Sequence, residues 1–381
     1  MDFDLTKEQS LIQKTAKEYA QTALAPRFDE WEEAHNVPLE IFSELGDLGL
    51  MGLPFPEQYG GSDAGFDGYV LAVEQICMAN NAVGSAIIAH NLGMAIINAF
   101  GNEEQKMKFL PPAGRGEQVL SFAFTEPGTG SDPKQITCTA KKEGDYYILN
   151  GTKRFISNAQ YPGTLGIVAR DVDSDELGTF IVEKFCEGYS ISERWEKIAL
   201  NAQGLYDIYL KDCKVSTSDV LGNIGEGFFH LEAGIGYGKM GIACSAMAVA
   251  QQAYDAALEY AQQKLHRGKP ITKFQAVQLL IAEMAEKIEA CRLVLYKSAM
   301  IGNNSIKNPH LFAKYAALSK NFVSQNAVDV TRLAMELVAS YGLMKDYKIE
   351  RLYREAIVFP QVEGVPHMQQ VILANYILAG I

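Results

Sequence analysis

The residues with the greatest chemical potential lie in three short stretches, far apart in the chain. The first is 122–132, FAFTEPGTGSD. An apolar run stops at Glu126-Pro127, and Gly128 and Gly130 then expose backbone among the hydroxyls of Thr125, Thr129 and Ser131. Converging N–H and O–H donors make a concavity suited to an anionic or heteroaromatic ligand. A plain β-turn with capping hydroxyls has the same spacing. The second stretch is 150–160, NGTKRFISNAQ, where Phe155 precedes Ser157 by two positions. On a strand those side chains share a face, and an aromatic beside a hydroxyl can flank and hydrogen-bond a planar ring. An ordinary strand end reads the same way. The third is 359–369, FPQVEGVPHMQ, which sets Glu363 among Val362, Val365, Pro366 and Met368, next to Gly364. A carboxyl in apolar surroundings holds its proton more tightly and becomes a candidate general base. A solvated loop acid is the alternative.

Gly236-Tyr-Gly238-Lys-Met-Gly241 matches the GxGxxG dinucleotide fingerprint. That mechanism needs a preceding strand and a βαβ unit. Here GFFHLEAGI precedes it and helical sequence follows, so these read as loop glycines at a helix entrance.

The elements that must position these residues fall into three zones. Residues 1–118 read as a helical domain. Thr6-Lys-Glu-Gln9 has the form of a capping box, and Leu11, Ile12, Thr15, Ala16 and Tyr19 follow at helical spacing. Residues 119–229 read as a β domain of short β-branched and aromatic runs separated by Gly and Asp turns, with Asn150-Gly151 as a hairpin signal. Residues 230–381 return to long helices, among them 243–263, 273–302 and 311–342, with apolar residues at i, i+3, i+4. The fold class expected is α+β: an N-terminal helical domain, a middle antiparallel β-barrel and a C-terminal four-helix bundle.

Composition narrows the partners. The net charge of −12 argues against nucleic acid or an anionic membrane surface. The longest apolar runs read as too short or too charged to span a bilayer. The six cysteines form no CxxC pair or metal-ligand cluster and read as small apolar residues in a reducing compartment. With an acidic, polar opening rather than an export signal, a cytoplasmic location is expected.

Together and in this order, the three stretches resemble the acyl-CoA dehydrogenase family over essentially the whole chain. TEPGTGSD is similar to the family's TEPGAGSD. NGTKRFISNA is similar to NGxKxWITNG, with Phe155 for the usual Trp and Ser157 for the usual Thr. VLGNIGEGFFHLEAG is similar to LLGxxGxGF, and the stretch ending in Glu363-Gly364 to the one ending in IYEGT. The resemblance implies FAD as cofactor and an acyl thioester as substrate. It implies flavin contacts from Phe124, Thr125, Gly130, Ser131, Phe155, Ser157 and Gly364. It implies substrate contacts from Ser131, Tyr237, Lys239 and Gly364, and Glu363 as the base that takes the α-proton while a β-hydride moves to the flavin. A homotetramer or homodimer and an electron acceptor, an electron-transfer flavoprotein or oxygen, also follow from it.

Two departures stand out. The family's RxQFGxPI reads Lys264-Leu-His266-Arg267-Gly-Lys-Pro-Ile, and its QxxGGxG reads Glu336-Leu-Val-Ala339-Ser340-Tyr-Gly342. By resemblance, Lys264, Arg267 and Glu336 face the ADP part of FAD in a neighbouring subunit. The DxxR that touches pantetheine in many relatives reads Gly236-Tyr-Gly238-Lys239. That weakens the CoA handle and is similar to a branch acting on acyl groups tethered to carrier proteins in polyketide or nonribosomal-peptide pathways. A non-catalytic member of the family is the third reading.

Overall fold

The computed structural model describes residues 4–132 and 135–381. Six helices open the chain: α1 (Lys7–Tyr19), α2 (Phe28–Ala34), α3 (Glu40–Asp47), α4 (Gly65–Ala79), α5 (Asn81–Phe100) and α6 (Glu103–Gly114). The expected capping box starts α1: Thr6 Oγ1 accepts from the Gln9 N–H at 3.1 Å, and Gln9 returns the bond to the Thr6 N–H at 2.9 Å. Asn80 caps α5 by accepting from the N–H groups of Ala82 and Val83.

Helix α5 departs from one expectation. Its 20 residues carry a mean hydropathy of 1.5, so by length and composition it could cross a membrane. Most of it is buried inside the protein instead. A helix apolar on all sides is one that is covered on all sides.

The middle of the chain forms β1 (Ser121–Ala123), β2 (Thr139–Glu143), β3 (Tyr146–Ser157), β4 (Thr164–Asp171), β5 (Leu177–Glu183), β6 (Tyr189–Ile191), β7 (Leu205–Ser216) and β8 (Val220–Leu221). They make one sheet in the order β6-β7-β3-β2-β4-β5-β8, with β1 pairing off β4. The sheet is mixed rather than antiparallel: β1 and β2 both run parallel to β4. Its outer strands, β6 and β8, are not neighbours in the ladder, so the expected barrel is open among the described residues.

Asn150-Gly151 is not a hairpin turn. It lies inside β3, at a bulge opposite β7, and the turn falls at Gly144. The Asn150 side chain exchanges hydrogen bonds with Asp212 at 3.1 and 2.9 Å across that bulge. A Cβ on Gly151 would lie 2.8 Å from Cys138, so glycine is needed for close packing and not for a reversal.

The chain closes with α7 (Gly227–Gln263), a small hairpin of β9 (Leu265–His266) and β10 (Lys269–Pro270), α8 (Gln275–Gly302), α9 (Pro309–Val338), α10 (Ile349–Ala356) and α11 (Pro366–Leu378). Helix α7 is 37 residues long and packs against α4, α5, α8, α9 and α10. The N- and C-terminal helices therefore share one core, which includes Phe42, Tyr69, Ile87, Met240, Met247, Phe312 and Phe359. The sheet has its own, around Ile167, Phe180, Leu149 and Ile208.

The GxGxxG glycines sit well inside α7, not at its entrance, and no strand leads into them. Gly234, Gly238 and Gly241 form a face without side chains toward α5, and Gly236 opens another side of the helix to α9. An added Cβ would lie 2.6 Å from Ile96 at Gly234, 2.7 Å from Phe312 at Gly236 and 2.5 Å from Ile88 at Gly241. These contacts let α5 and α9 approach α7 at backbone distance. Gly241→Ala should therefore destabilise the protein by about 1–3 kcal/mol through overpacking, although alanine favours a helix by about 1 kcal/mol. Urea unfolding followed by circular dichroism measures this, and an unchanged or raised midpoint would contradict the close-packed seam.

Candidate active site

Glu363 lies on the loop between α10 and α11, with backbone φ of +52°, followed by Gly364 at +91°. The first value is unfavourable for a residue with a side chain, so the surroundings must hold it. Lys320 of α9, fully buried, donates from Nζ to the carbonyls of Pro360 at 2.8 Å and Gly364 at 2.6 Å, bracketing Glu363. Gln369 of α11 donates to the carbonyls of Glu363 at 3.0 Å and Gly364 at 3.1 Å. A Cβ on Gly364 would fall 2.3 Å from the Gln369 amide nitrogen, so only glycine fits that clamp.

The clamp aims the carboxyl at the glycine face of α7. A Cβ at Gly238 would lie 2.7 Å from Glu363 Oε2 and 3.1 Å from Leu92 of α5. Burial raises the carboxyl above its ordinary range, while the charges of Lys239 and Lys320 pull it back down. Both lysines are themselves lowered to about 8, chiefly by burial and against the attraction of Glu363. Tyr69 closes this space from α4: its buried hydroxyl lies 2.7 Å from where a Gly241 Cβ would be and has no hydrogen-bond partner among the described residues. The result is a carboxyl of raised proton affinity, packed against the bare backbone of Gly238.

The Thr125 turn is held by a second buried charge pair. Glu126 Oε1 accepts from Lys153 Nζ at 2.7 Å, with both side chains almost wholly buried. The same carboxylate accepts from the Thr137 N–H and hydroxyl, each at 2.7 Å, and from the Cys138 N–H at 2.9 Å. Burial alone would raise Glu126; Lys153 and the Thr137 donors more than offset it and hold the group below the usual carboxylate range. Lys153 also donates to the Phe124 carbonyl, and the Arg154 N–H to the Thr125 carbonyl at 2.8 Å, so the turn is bolted to β3.

Of the three hydroxyls in the turn, Thr129 points inward and donates to the Asp132 carbonyl. Thr125 and Ser131 stay accessible. Beyond Gly128 nothing lies within 4 Å of an added Cβ, and at Gly130 only a Thr125 methyl at 3.9 Å. The turn thus presents bare backbone to open space.

Next to it, Phe155 sits at a bulge of β3 with φ +59° and half of its surface exposed. It meets Trp195 edge-on at 5.4 Å, and the Arg154 guanidinium lies over both rings. Arg154 is in turn paired with Asp207, which also accepts from the Trp195 indole at 2.9 Å. Ser157 accepts from Gln203 at 3.3 Å. An exposed aromatic wall, an open-backbone turn and a hydroxyl therefore all border the last residues of β3.

Helix α5 joins this region to Glu363. Ala86 accepts from Asn158 at 2.8 Å, and His90 Nδ1 accepts from the Leu120 N–H at 2.9 Å; burial lowers His90 to about 3, which keeps the ring neutral. One residue beyond Leu92, Gly93 packs on Leu120 and Ser121 at the start of β1.

Three family models match the chain in order: the N-terminal domain of acyl-CoA dehydrogenase over residues 6–117, the middle domain over 121–213 and the C-terminal domain over 225–378. The chain belongs to the acyl-CoA dehydrogenase family. An acyl-CoA dehydrogenase of Bacillus subtilis is 35% identical over 99% of both chains. The subunit CarC of the caffeyl-CoA reductase-Etf complex of Acetobacterium woodii is 33% identical, covering 98% of this chain and 99% of that one. The structure of butyryl-CoA dehydrogenase from Megasphaera elsdenii superposes with a TM-score of 0.94 at 30% identity, over 99% of this chain and 100% of that one.

The sequence-derived residues divide into four places. Phe124, Thr125, Gly130, Ser131, Phe155 and Ser157 gather on the turn and the end of β3. Lys239, Glu363 and Gly364 gather at the glycine face of α7. Tyr237 stacks instead with Phe55 and Phe66 and lines a separate cavity of about 330 Å³ with Asn98, Asn303 and Ser305, of which Glu363 is not part. Lys264, Arg267 and Glu336 belong to neither group. They lie at the far end of the bundle, Lys264 being roughly 40 Å along α7 from Gly238 at the helical rise, where its ammonium covers the Tyr341 ring.

Sequence reasoning missed Lys320, Gln369, Arg154, Trp195 and Gln203, and gave Glu126 no role. Glu126, Lys153, Arg154 and Gln369 stood inside quoted stretches, though none with a role; the others carry no local signal. Lys320→Met removes one of the two cations that lower Glu363. The carboxyl should then deprotonate at higher pH, read by infrared difference spectra against Glu363→Gln, and the Pro360 carbonyl left without its donor should cost about 1–3 kcal/mol of stability. An unmoved titration would dissolve the electrostatic link.

Proposed function

We propose that the protein is a FAD-dependent oxidoreductase that interconverts an acyl-CoA and its α,β-unsaturated form, with Glu363 as the base. The observation that carries this reading is the Glu363 carboxyl, held against Gly238 on the side-chain-free face of α7 and within the field of Lys239 and Lys320. The names of the relatives, an acyl-CoA and a butyryl-CoA dehydrogenase and a caffeyl-CoA reductase, supply the substrate class.

The residues present fit an isoalloxazine. Gly128 and Gly130 leave their backbone uncovered, Thr125 and Ser157 offer hydroxyls, and Phe155 with Trp195 offers a braced apolar wall. Bound FAD supplies the acceptor for the electron pair that leaves the β-carbon as hydride. The chain's own work is to hold the thioester with its α-carbon facing Glu363 and to take the α-proton. Burial makes the protonated carboxyl comfortable, so Glu363 binds that proton more tightly than a surface acid would, while the two lysines keep enough of it ionised to act. Helix α5, through Leu92, walls the carboxyl off from the opposite side.

The reductase name among the relatives indicates that the same residues serve either direction, since a base that removes the α-proton returns it in reverse. An electron-transfer flavoprotein is the partner suggested by the Acetobacterium complex. Self-association is inferred from apolar side chains left exposed along the bundle, among them Leu279, Met300, Leu343 and Leu378, and would let Lys264, Arg267 and Glu336 reach a neighbouring copy's cofactor. A carrier-bound thioester would use the same chemistry, but the relatives above are named for CoA.

Glu363→Gln should stay yellow, with the flavin absorbance of the wild type, yet be bleached by butyryl-CoA under anaerobic conditions about 10²–10⁴-fold more slowly. Bleaching at the wild-type rate would remove Glu363 from the mechanism. A wild-type protein that holds FAD but is bleached by no free acyl-CoA would remove CoA as the substrate's handle.

A further inference from the structure

The sheet carries a thiol pair that the flavin chemistry does not use. Cys186 lies in the turn between β5 and β6, and Cys213 near the end of β7. Their sulfurs are 3.5 Å apart, both are reduced, and Cys186 is partly exposed while Cys213 is buried. The turn is pressed onto β7 by its own backbone. The Lys211 N–H donates to the Gly188 carbonyl at 2.9 Å, and the Tyr189 N–H to the Cys186 carbonyl at 3.1 Å. Gly188, at φ +85°, brings the chain so close that an added Cβ would lie 2.8 Å from the Cys213 Cα. A disulfide bond of about 2.05 Å then requires the sulfurs to close by only about 1.5 Å, within the reach of side-chain rotation.

We propose that Cys186 and Cys213 are an oxidisable dithiol that a hydroperoxide closes into an intrachain disulfide, with Cys186 as the attacking and Cys213 as the resolving sulfur. The asymmetry of the pair assigns the roles. Exposure gives Cys186 access to the oxidant. The hydrogen bond between the two thiols holds Cys186 below the ordinary thiol range, and that bond together with burial raises Cys213. Partial burial, and then Glu183 at the end of β5, oppose the first effect. Burial raises the nearby Cys138 to about 11, and Cys77 and Cys291 to about 12, which leaves them as thiols.

The chemistry balances without a further reactant. The Cys186 thiolate attacks one peroxide oxygen, the O–O bond breaks, and the other oxygen leaves as water or alcohol, so that Cys186 becomes a sulfenic acid. The Cys213 sulfur then attacks the Cys186 sulfur. The S–S bond forms, the S–O bond breaks, and hydroxide departs with the Cys213 proton as water. Two thiols have lost two electrons and two protons to the peroxide. The bridge would pin the 184–188 turn to β7, the strand paired with the flavin-side strand β3.

The test treats the intact holoprotein with hydrogen peroxide, quenches in denaturant with an alkylating agent, and maps the peptides by mass spectrometry. The expected result is a 186–213 cross-linked peptide lighter by two hydrogens, formed at least ~10-fold faster than any change at Cys291. Cys186→Ser should abolish it, and Cys213→Ser should leave a dimedone-reactive sulfenic acid at Cys186. Should Cys213→Ser fail to fold, the pH dependence of Cys186 alkylation in the wild type replaces it, with half-reaction expected below that of a free thiol. Oxidation of Cys138 before Cys186, or a Cys186 that reacts no faster than Cys291, would overturn the proposal. None of these readouts depends on turnover of an acyl thioester.

Discussion

Everything at the site depends on helix α5 lying between two partners that approach it at backbone distance. One face, through Ala86, His90 and Gly93, is fastened to the middle sheet. The other, through Ile88, Leu92 and Ile96, fills the side-chain-free face of α7 at Gly241, Gly238 and Gly234. Residues three and four apart share a helix face, so one amphiphile-free helix serves both neighbours. That is why α5 is apolar all round and why it meets the length and composition of a membrane span while lying mostly in the interior. The arrangement also fixes the distance between the sheet, which carries the exposed aromatic wall, and the bundle, which carries Glu363.

Two buried cations do related work at the two ends of this assembly. Lys153 neutralises Glu126 and thereby anchors a turn whose outer half is bare glycine. Lys320 has no carboxylate in its hydrogen-bond shell and spends its donors on two carbonyls, leaving its charge to act on Glu363 from close by. Buried ion pairs are weak sources of net stability, because desolvation consumes most of the Coulomb gain. Their value here is geometric. Each fixes a loop that would otherwise be free, and each does so from inside the protein, leaving the outer surface of the loop for a ligand.

Three residues in these places have strained backbones. Phe155, Asn158 and Glu363 all have positive φ without being glycine. Strain of this kind persists where surrounding contacts over-determine the backbone and tends to gather at functional segments. At Glu363 the over-determination is visible as the Lys320 and Gln369 clamp; at Asn158 it is the pair of bonds to Ala86 and Leu120. At Phe155 the bulge of β3 turns the ring outward against Trp195.

Local sequence determined a good deal about this protein. The three zones, the capping box at Thr6 and each family motif could be read because each rests on spacing within a short stretch. What failed was whatever depended on a distant neighbour. Asn150-Gly151 has the composition of a hairpin, but Asp212 and Cys138, remote in sequence, make it a bulge. The GxGxxG glycines look like a loop, but α5 and α9 pack onto them and keep them helical. A run of alternating strands gives no sign that β1 and β2 will both lie parallel to β4. Lys320 and Trp195 carry no motif at all, because a lysine that bonds two carbonyls some forty residues away leaves no periodicity to find. Secondary structure and motif are set by contacts a few residues long; the proton affinity of Glu363 and the shape of its pocket are set by desolvation and charge, which depend on every element that closes around it.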